Sequence, residues 1–567
     1  MTKLRSLAFG ILALLAACGG GGGSSAPGGG TTPPVAVKPT VAEASRLLTQ
    51  ASFGPTDSTI SAVQDAGLAG WINAQISAPL PAVSHEQYVS ERLAELGSVS
   101  ANNFYESWWR QAVTEPDQLR QRTAFALSQI FVISLADTAV DVRGAASYYD
   151  MLNRNAFGNF RQLLEDVTLH PMMGRYLTFL GNQKEDVNGT RTPDENYARE
   201  VMQLMTIGLQ ELNQDGTPKL SDGQPIVAYT PSDIAGLAKV FTGISWYHNA
   251  PTATTFFGGS AHSDRSVRPM IFYPVYHSTS AKTFLGTTIP ASTTVDVAGD
   301  LKIALDQLYN HPNVGPFISK RLIQQLVTSN PSPAYVSRVA GVFNNNGSGV
   351  RGDMAAVVRA VLTDNEARNM ASVAASDFGK LREPVIRVAN WARAFGATSQ
   401  SGKWLFTSTS ANTILGQSPL TSPSVFNFWR PGFVPPSTTE LGQRSLTAPE
   451  FQAVDEVTTA AWINTIQSVV DVGAGSTPTG GSGRDVRSAY ASEIALAETP
   501  SALVDRMNNL LFYGQMSAAQ QTRLLAAVNG VTIPASGTQA QIDAARLNRA
   551  KTAVFFSMIS PDYLVQR

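Results

Sequence analysis

The residues best suited to proton transfer or polar recognition fall between His170 and Lys282. This stretch holds four of the six histidines, His170, His248, His262 and His277, and the segment Thr192-Pro193-Asp194-Glu195-Asn196-Tyr197-Ala198-Arg199-Glu200. A carboxylate and an imidazole sharing a cleft would trade protons with a substrate near neutral pH. Glu200 is the first candidate carboxylate, Glu195 the second, and His277 the imidazole. Lys282 would stabilise an oxyanion, and Arg199 would help it hold an anionic group. Asn196, His170 and Tyr276 complete the candidate lining as binding residues.

Each of these residues also has a plainer role. Glu195 and Arg199 are four apart and can pair along a helix, as can Asn196 and Glu200. His277 and Lys282 can sit on an ordinary polar hairpin. His248, His262 and His277, with Glu200, are weak metal candidates: the chain has no His-Glu-x-x-His and no histidine pair at helical spacing, so no metal and no cofactor are expected. There is no Gly-x-Ser-x-Gly elbow, which argues against a standard serine esterase. Trp108-Trp109 reads as helix packing.

The elements that must position these groups follow from local signals. Thr192 suits an N-cap, Pro193 the first helical position, and Glu195 completes a capping box, predicting a helix from there to about Gly208. On an α-helix Tyr197, Ala198, Val201, Met202, Leu204, Met205 and Leu209 share an apolar arc. Glu195, Asn196, Arg199, Gln203 and Thr206 face the other way. Glu200 lies on the border, where partial desolvation would raise its pKa. Between Gly243 and Pro290 the chain turns rich in Thr, Tyr, Phe and Gly. Met270–Tyr273 and Lys282–Leu285 read as strands of a small ribbon.

Elsewhere the period is helical. Val41–Ala51, Asp117–Ser134, Leu381–Phe395, Ala448–Ile466 and Ala540–Ile559 each carry an apolar face. About twenty such segments and no βαβ alternation predict a mainly α, multi-helical body with the one ribbon excursion at 243–290. The dipeptide His-Pro, at His170 and His311, follows apolar runs and would start the next helix with Pro at its first position. The expected division is 1–17 signal peptide, 18–40 linker, 41–472 main body, 473–484 flexible loop, and 485–567 C-terminal helical unit.

Composition sets the class. With 42 Lys+Arg against 43 Asp+Glu, there is no basic footprint for nucleic acid. The 43% apolar content excludes wholesale disorder. A single Cys excludes internal disulfides and Cys-based zinc sites. That Cys is Cys18. It follows Lys3, Arg5 and the apolar run Leu7–Ala17, which is too short to span a bilayer. Leu15-Ala16-Ala17-Cys18 resembles a bacterial lipobox, which implies acylation of Cys18 and a lipid anchor in the membrane. Gly19 follows where an acidic residue would signal inner-membrane retention, so an outer-membrane address, facing the periplasm or the cell surface, is expected.

Taken together, the motifs resemble a large bacterial family known only as domain of unknown function 1800. They are Arg46-Leu47-Leu48 with Ala51-Ser52-Phe53-Gly54-Pro55-Thr56, the run Leu119–Phe131, Leu169-His170-Pro171-Met172-Met173-Gly174-Arg175-Tyr176-Leu177, Glu195–Leu204, Lys282-Thr283-Phe284-Leu285-Gly286, and Ser560–Val565. One place departs: many members carry a Trp-His-Asn-His-like stretch where this chain has Leu127-Ser128-Gln129-Ile130-Phe131. This departure weakens any metalloenzyme reading carried over from the family. The resemblance implies a secreted, mostly helical protein whose genes often neighbour those of a secreted family with an alkaline-phosphatase-like fold. The resulting expectation is a lipid-anchored envelope protein that binds an envelope partner or polymer through a polar cleft. The alternative is an extracytoplasmic hydrolase or transferase using a carboxylate/His acid-base pair.

Overall fold

A computed structural model of the chain describes residues 38–567. The expected signal peptide, Cys18 and the linker up to residue 37 lie outside the described residues. The first helix, Val41–Ala51, starts on a capping box in which Thr40 accepts from the Glu43 amide and Glu43 reaches back. Its buried face carries Ala44, Leu47, Leu48 and Ala51. The turn that follows has a steric reason for its glycine. Gly54 adopts a positive φ of 128° flush against Asn390, where a Cβ would overlap the amide. Thr56 then caps the next helix, Asp57–Ile76.

The described residues hold 24 α-helices, and their strands are two or three residues long, in five antiparallel two-stranded sheets. The fold is mainly α. Some helices are buried on every side. Gln118–Ser128 is buried along its whole length, and so is Pro384–Ala394 beyond its first proline. Buried charges need partners, and several arginines here find backbone carbonyls. Arg120 donates to Ala78 O (2.8 Å); Arg393 donates to Gly54 O (2.9 Å) and Val113 O (2.7 Å). They tie the central helices to the N-terminal turns.

The ribbon lies where the composition changes. Ile244–Ser245 pairs with Ile271–Phe272, and Lys282–Phe284 with Thr287–Ile289. The second hairpin turns on Leu285-Gly286, both at positive φ (47° and 76°), as a two-residue primed turn requires. Leucine pays conformational strain there, and it is held from both sides. Its amide donates to Asp233 Oδ1 (2.7 Å), and its carbonyl accepts from Gln307 (2.8 Å). The hairpin rests on the helix Pro231–Val240 at Gly236, where the Thr283 carbonyl occupies the place of a side chain.

The last residues return to the first. Helix Gln539–Met558 packs on helix Glu456–Val472, and Val565–Gln566 pairs with Lys380–Leu381. Ser45 donates to Asn509 O (2.7 Å). Between them, residue 474 bridges Val486, and Ser476 donates to Leu405 O (2.8 Å). Residues 39–567 make one compact unit.

Three helix starts differ from the sequence expectation; the segment expected from Ala448 begins with a 3₁₀ turn, Pro449–Ala453, and its α-helix starts at Glu456 behind the Asp455 cap. His170 does cap a helix with Pro171 at its first position, but Pro312 precedes the N-cap of its helix, Asn313, so the two His-Pro sites are not equivalent. The predicted helix from Thr192 begins instead at Asn196. Asn182 accepts from the Asp194 amide (2.9 Å), and Asp194 accepts from the Asn196 amide (2.8 Å). These bonds hold residues 194–196 in a turn, so the N-cap position falls on Glu195, which makes no side-chain capping bond, and not on Thr192.

Candidate functional site

His277 and Lys282 meet on a third residue. Asp300, in the first turn of helix Val297–Asn310, accepts from Lys282 Nζ (2.8 Å) and faces His277 Nε2 (3.0 Å). The other imidazole nitrogen, Nδ1, faces the Thr242 carbonyl at 2.7 Å. Lys282 also donates to Ser278 O (2.7 Å). Both side chains are almost fully buried. They line a cavity of about 360 Å³ with Thr279, Ser292, Asp296 and Asp300. Both ring nitrogens are thus engaged by protein oxygens.

Glu200 sits elsewhere. None of Glu195, Asn196, Arg199 and Glu200 lines that cavity, and no hydrogen bond or ion pair among the described residues links Glu200 to His277 or Lys282. Glu200 is buried with Oε2 unpartnered, and desolvation raises its pKa, with Arg199 opposing. Glu195 pairs with Arg199 (3.1 Å), both about half exposed. Asn196 donates to Thr178 (3.3 Å). Past Glu200 the helix widens into a π-helical turn, Val201–Thr206. The i→i+5 ladder shifts the phase of the following residues. Thr206, expected on the polar arc, is therefore fully buried and donates to Val201 O (2.5 Å), while Leu209 is exposed.

The remaining candidates disperse. His170 is buried edge-on to Tyr148, and its Nδ1 accepts from the Met172 amide (3.2 Å). Burial, reinforced by Arg154, pushes its pKa down to about 3. Tyr276 stacks on Phe256 with centroids 3.8 Å apart. His248 and His262 lie edge to face at 6.2 Å, each ring folded onto its own loop backbone. Among the described residues no set of three or more His, Cys, Asp or Glu is placed to hold a metal.

A second cluster escaped the sequence reading. Lys380, just before the buried helix Pro384–Ala394, donates to Glu450 (3.0 Å) and Gln325 O (3.0 Å) and lies 3.7 Å from Glu383. Glu383 accepts from Gln129 and Gln417, each at 2.8 Å, and Asn427 donates to Gln129 (2.8 Å). Arg122 stands in the same electrostatic group, with Nε and Nη1 unpartnered.

Glu450 and Gln417 carry this network to the lining of a pocket of about 280 Å³. Its walls include Trp429, Trp462 and Leu564. Its mouth carries Ile414, Phe451, Val454 and Ile463, which are 36–43% exposed. Two of the charged groups that line it, Arg387 and Glu450, do not pair with each other. The Arg387 guanidinium lies over Trp462 (5.0 Å to the centroid) and donates through Nε to Arg382 O (2.7 Å), and its Nη groups meet no protein acceptor among the described residues. Glu450 keeps Oε2 unpartnered, and burial raises its pKa. Burial lowers the Arg387 pKa to about 10.

A signal for this site was present in the sequence: Lys380, Arg382 and Glu383 crowd the start of an apolar helix that then carries Arg387 at a buried position. Gln129, in the stretch where the chain departs from the Trp-His-Asn-His-like pattern, is one of the network's members.

A family model described as "Protein of unknown function (DUF1800)" matches residues 46–565. No curated protein and no solved structure matches the chain.

Proposed function

The chain belongs to the DUF1800 family, whose function is unknown, and on that premise we propose that it is a binding protein of the bacterial envelope, anchored in the outer membrane through Cys18, that takes a small apolar ligand into the pocket beside Arg387. The observation that carries this reading is that Arg387 and Glu450, both largely buried, line one pocket without pairing to each other, while Glu450, held by Lys380 through Oε1, keeps Oε2 unpartnered. Unmet buried polar groups are costly, and a native protein that keeps them generally has something to place there. The apolar mouth supports the same reading. Clustered exposed apolar side chains around a concavity mark binding surfaces. The pocket's volume is at the small end of ligand sites, about 300–1,000 Å³, which favours a compact occupant.

The test uses the full chain with Cys18→Ser, which removes the acylation acceptor. N-phenyl-1-naphthylamine, a neutral apolar dye, should bind and brighten. Ile463→Asp, at the exposed mouth, should abolish binding without unfolding the protein. No dye binding, or equal binding by the variant, would refute the pocket reading.

One observation favours the hydrolase or transferase instead. Glu200, with its raised pKa and unpartnered oxygen, has the properties of a general acid. On that reading, turnover of an envelope substrate would fall at least about a hundredfold in Glu200→Gln. On the binding reading Glu200→Gln binds the dye as the parent does.

A further inference from the structure

The pocket's charge identifies the class of its ligand, an inference that rests on the binding reading above. Around the floor stand four buried cations, Arg122, Lys380, Arg382 and Arg387, against two buried carboxylates, Glu383 and Glu450. They are electrostatically one group: Arg387 feels Arg382, Glu383 and Glu450, and Arg122 feels both carboxylates. Lys380 is already committed to Glu450 and the Gln325 carbonyl, and Arg382 to Leu511 O (3.1 Å) with its guanidinium over Tyr563. Arg387 is the cation in contact with the pocket whose terminal nitrogens are uncommitted. A planar guanidinium with two free Nη groups presents a fork that a carboxylate fills with two parallel hydrogen bonds.

We infer that the ligand is a small apolar molecule bearing one carboxylate, with its head group between Arg387 and Glu450 and its body against Trp429, Trp462 and Leu564. The head group would bring a negative charge to a floor that is short of it. Glu450 Oε2, when protonated, would donate to the ligand's second oxygen, so Arg387 and the free oxygen of Glu450 would close on the same carboxylate. The apolar walls exclude water from this contact, which strengthens it. The apolar mouth residues Phe451 and Ile463 would cover the ligand's far end.

The inference is tested by displacing the bound dye from the full chain with Cys18→Ser, using three ten-carbon probes that differ only at the head: decanoate, decanol and decylamine. Decanoate should displace the dye at a concentration about tenfold or more below decanol, the worth of a charge-assisted hydrogen bond. Decylamine should be the weakest. Arg387→Met should bring decanoate down to the level of decanol while the dye still binds. If that variant does not fold, the ranking of the three probes on the parent protein decides. Equal displacement by decanoate and decanol, or a preference for decylamine, would overturn the carboxylate assignment and leave the pocket reading standing. Failure of the dye itself to bind would remove both.

Discussion

His170 offers a quantitative check of the buried architecture. Its imidazole is buried against Tyr148, and its Nδ1 accepts the Met172 amide as the cap of helix Pro171–Tyr176. A proton on Nδ1 would break that cap and leave a charge in an apolar site, with Arg154 adding repulsion. The folded pKa is therefore depressed to about 3 from 6.5. The unfolded chain binds the proton more readily, so stability falls as pH drops through 6.5 and continues to fall toward the folded value. Between pH 7 and pH 5 the unfolded state gains about 2 kcal/mol from this one residue. The figure holds for any folded pKa well below 5, because the native imidazole then stays neutral throughout.

His170→Asn keeps a side-chain oxygen to cap Met172 and removes the titration. Other shifted groups, including His85 (down to about 3) and Asp150 (up to about 6), are common to both proteins and cancel. Urea unfolding at the two pH values should show the parent losing about 2 kcal/mol more than the variant. Identical pH dependence in the two would refute the claim that His170 is sealed and neutral.

Three further outcomes are expected. Lys380→Met strips the cation from Glu383 and Glu450 and should cost about 3–5 kcal/mol at pH 7; burial already raises the Glu450 pKa, so the loss should shrink as pH falls and protonation relieves the unpaired charge, as paired urea melts would record. Gly236→Ala would drive a methyl into the Thr283 carbonyl, and thermal melts should show a loss of about 1–3 kcal/mol as the hairpin is pushed off its helix. Cys18→Ser should abolish incorporation of labelled acyl chains and shift the protein from the membrane fraction to the soluble one; unchanged membrane association would remove the lipid anchor from the proposal.

The parts of the fold legible in the sequence were those set by local chemistry. The apolar period of Val41–Ala51 and the helix start at His170-Pro171 each state their own geometry, whereas the run Lys282–Leu285 reads as strand through Leu285, which in the fold opens the turn. The juxtaposition of His277 with Lys282 was legible because only four residues separate them; the hairpin lies beyond, pairing Lys282–Phe284 with Thr287–Ile289. Asp300 was not, because it comes from a helix that only tertiary packing brings alongside. The helix at Asn196 began late because Asn182, a partner distant along the chain, holds the preceding turn, and its second half shifted phase because the backbone widened to a π-turn. Neither event leaves a periodic trace. The Arg387 pocket stayed hidden for a different reason. A helix with Arg387, Asn390 and Arg393 reads as amphipathic, with those residues assigned to solvent. In the fold all three are buried, and their partners come from residues 54 to 563.

The central claim, that the pocket beside Arg387 holds an apolar carboxylate, is tested most directly by crystals soaked in ω-bromodecanoate. The account predicts carboxylate density within hydrogen-bond reach of Arg387 Nη1 and Nη2, and anomalous bromine density toward Phe451 and Ile463. Bromine density elsewhere with this pocket empty, or a head group turned away from Arg387, would contradict it.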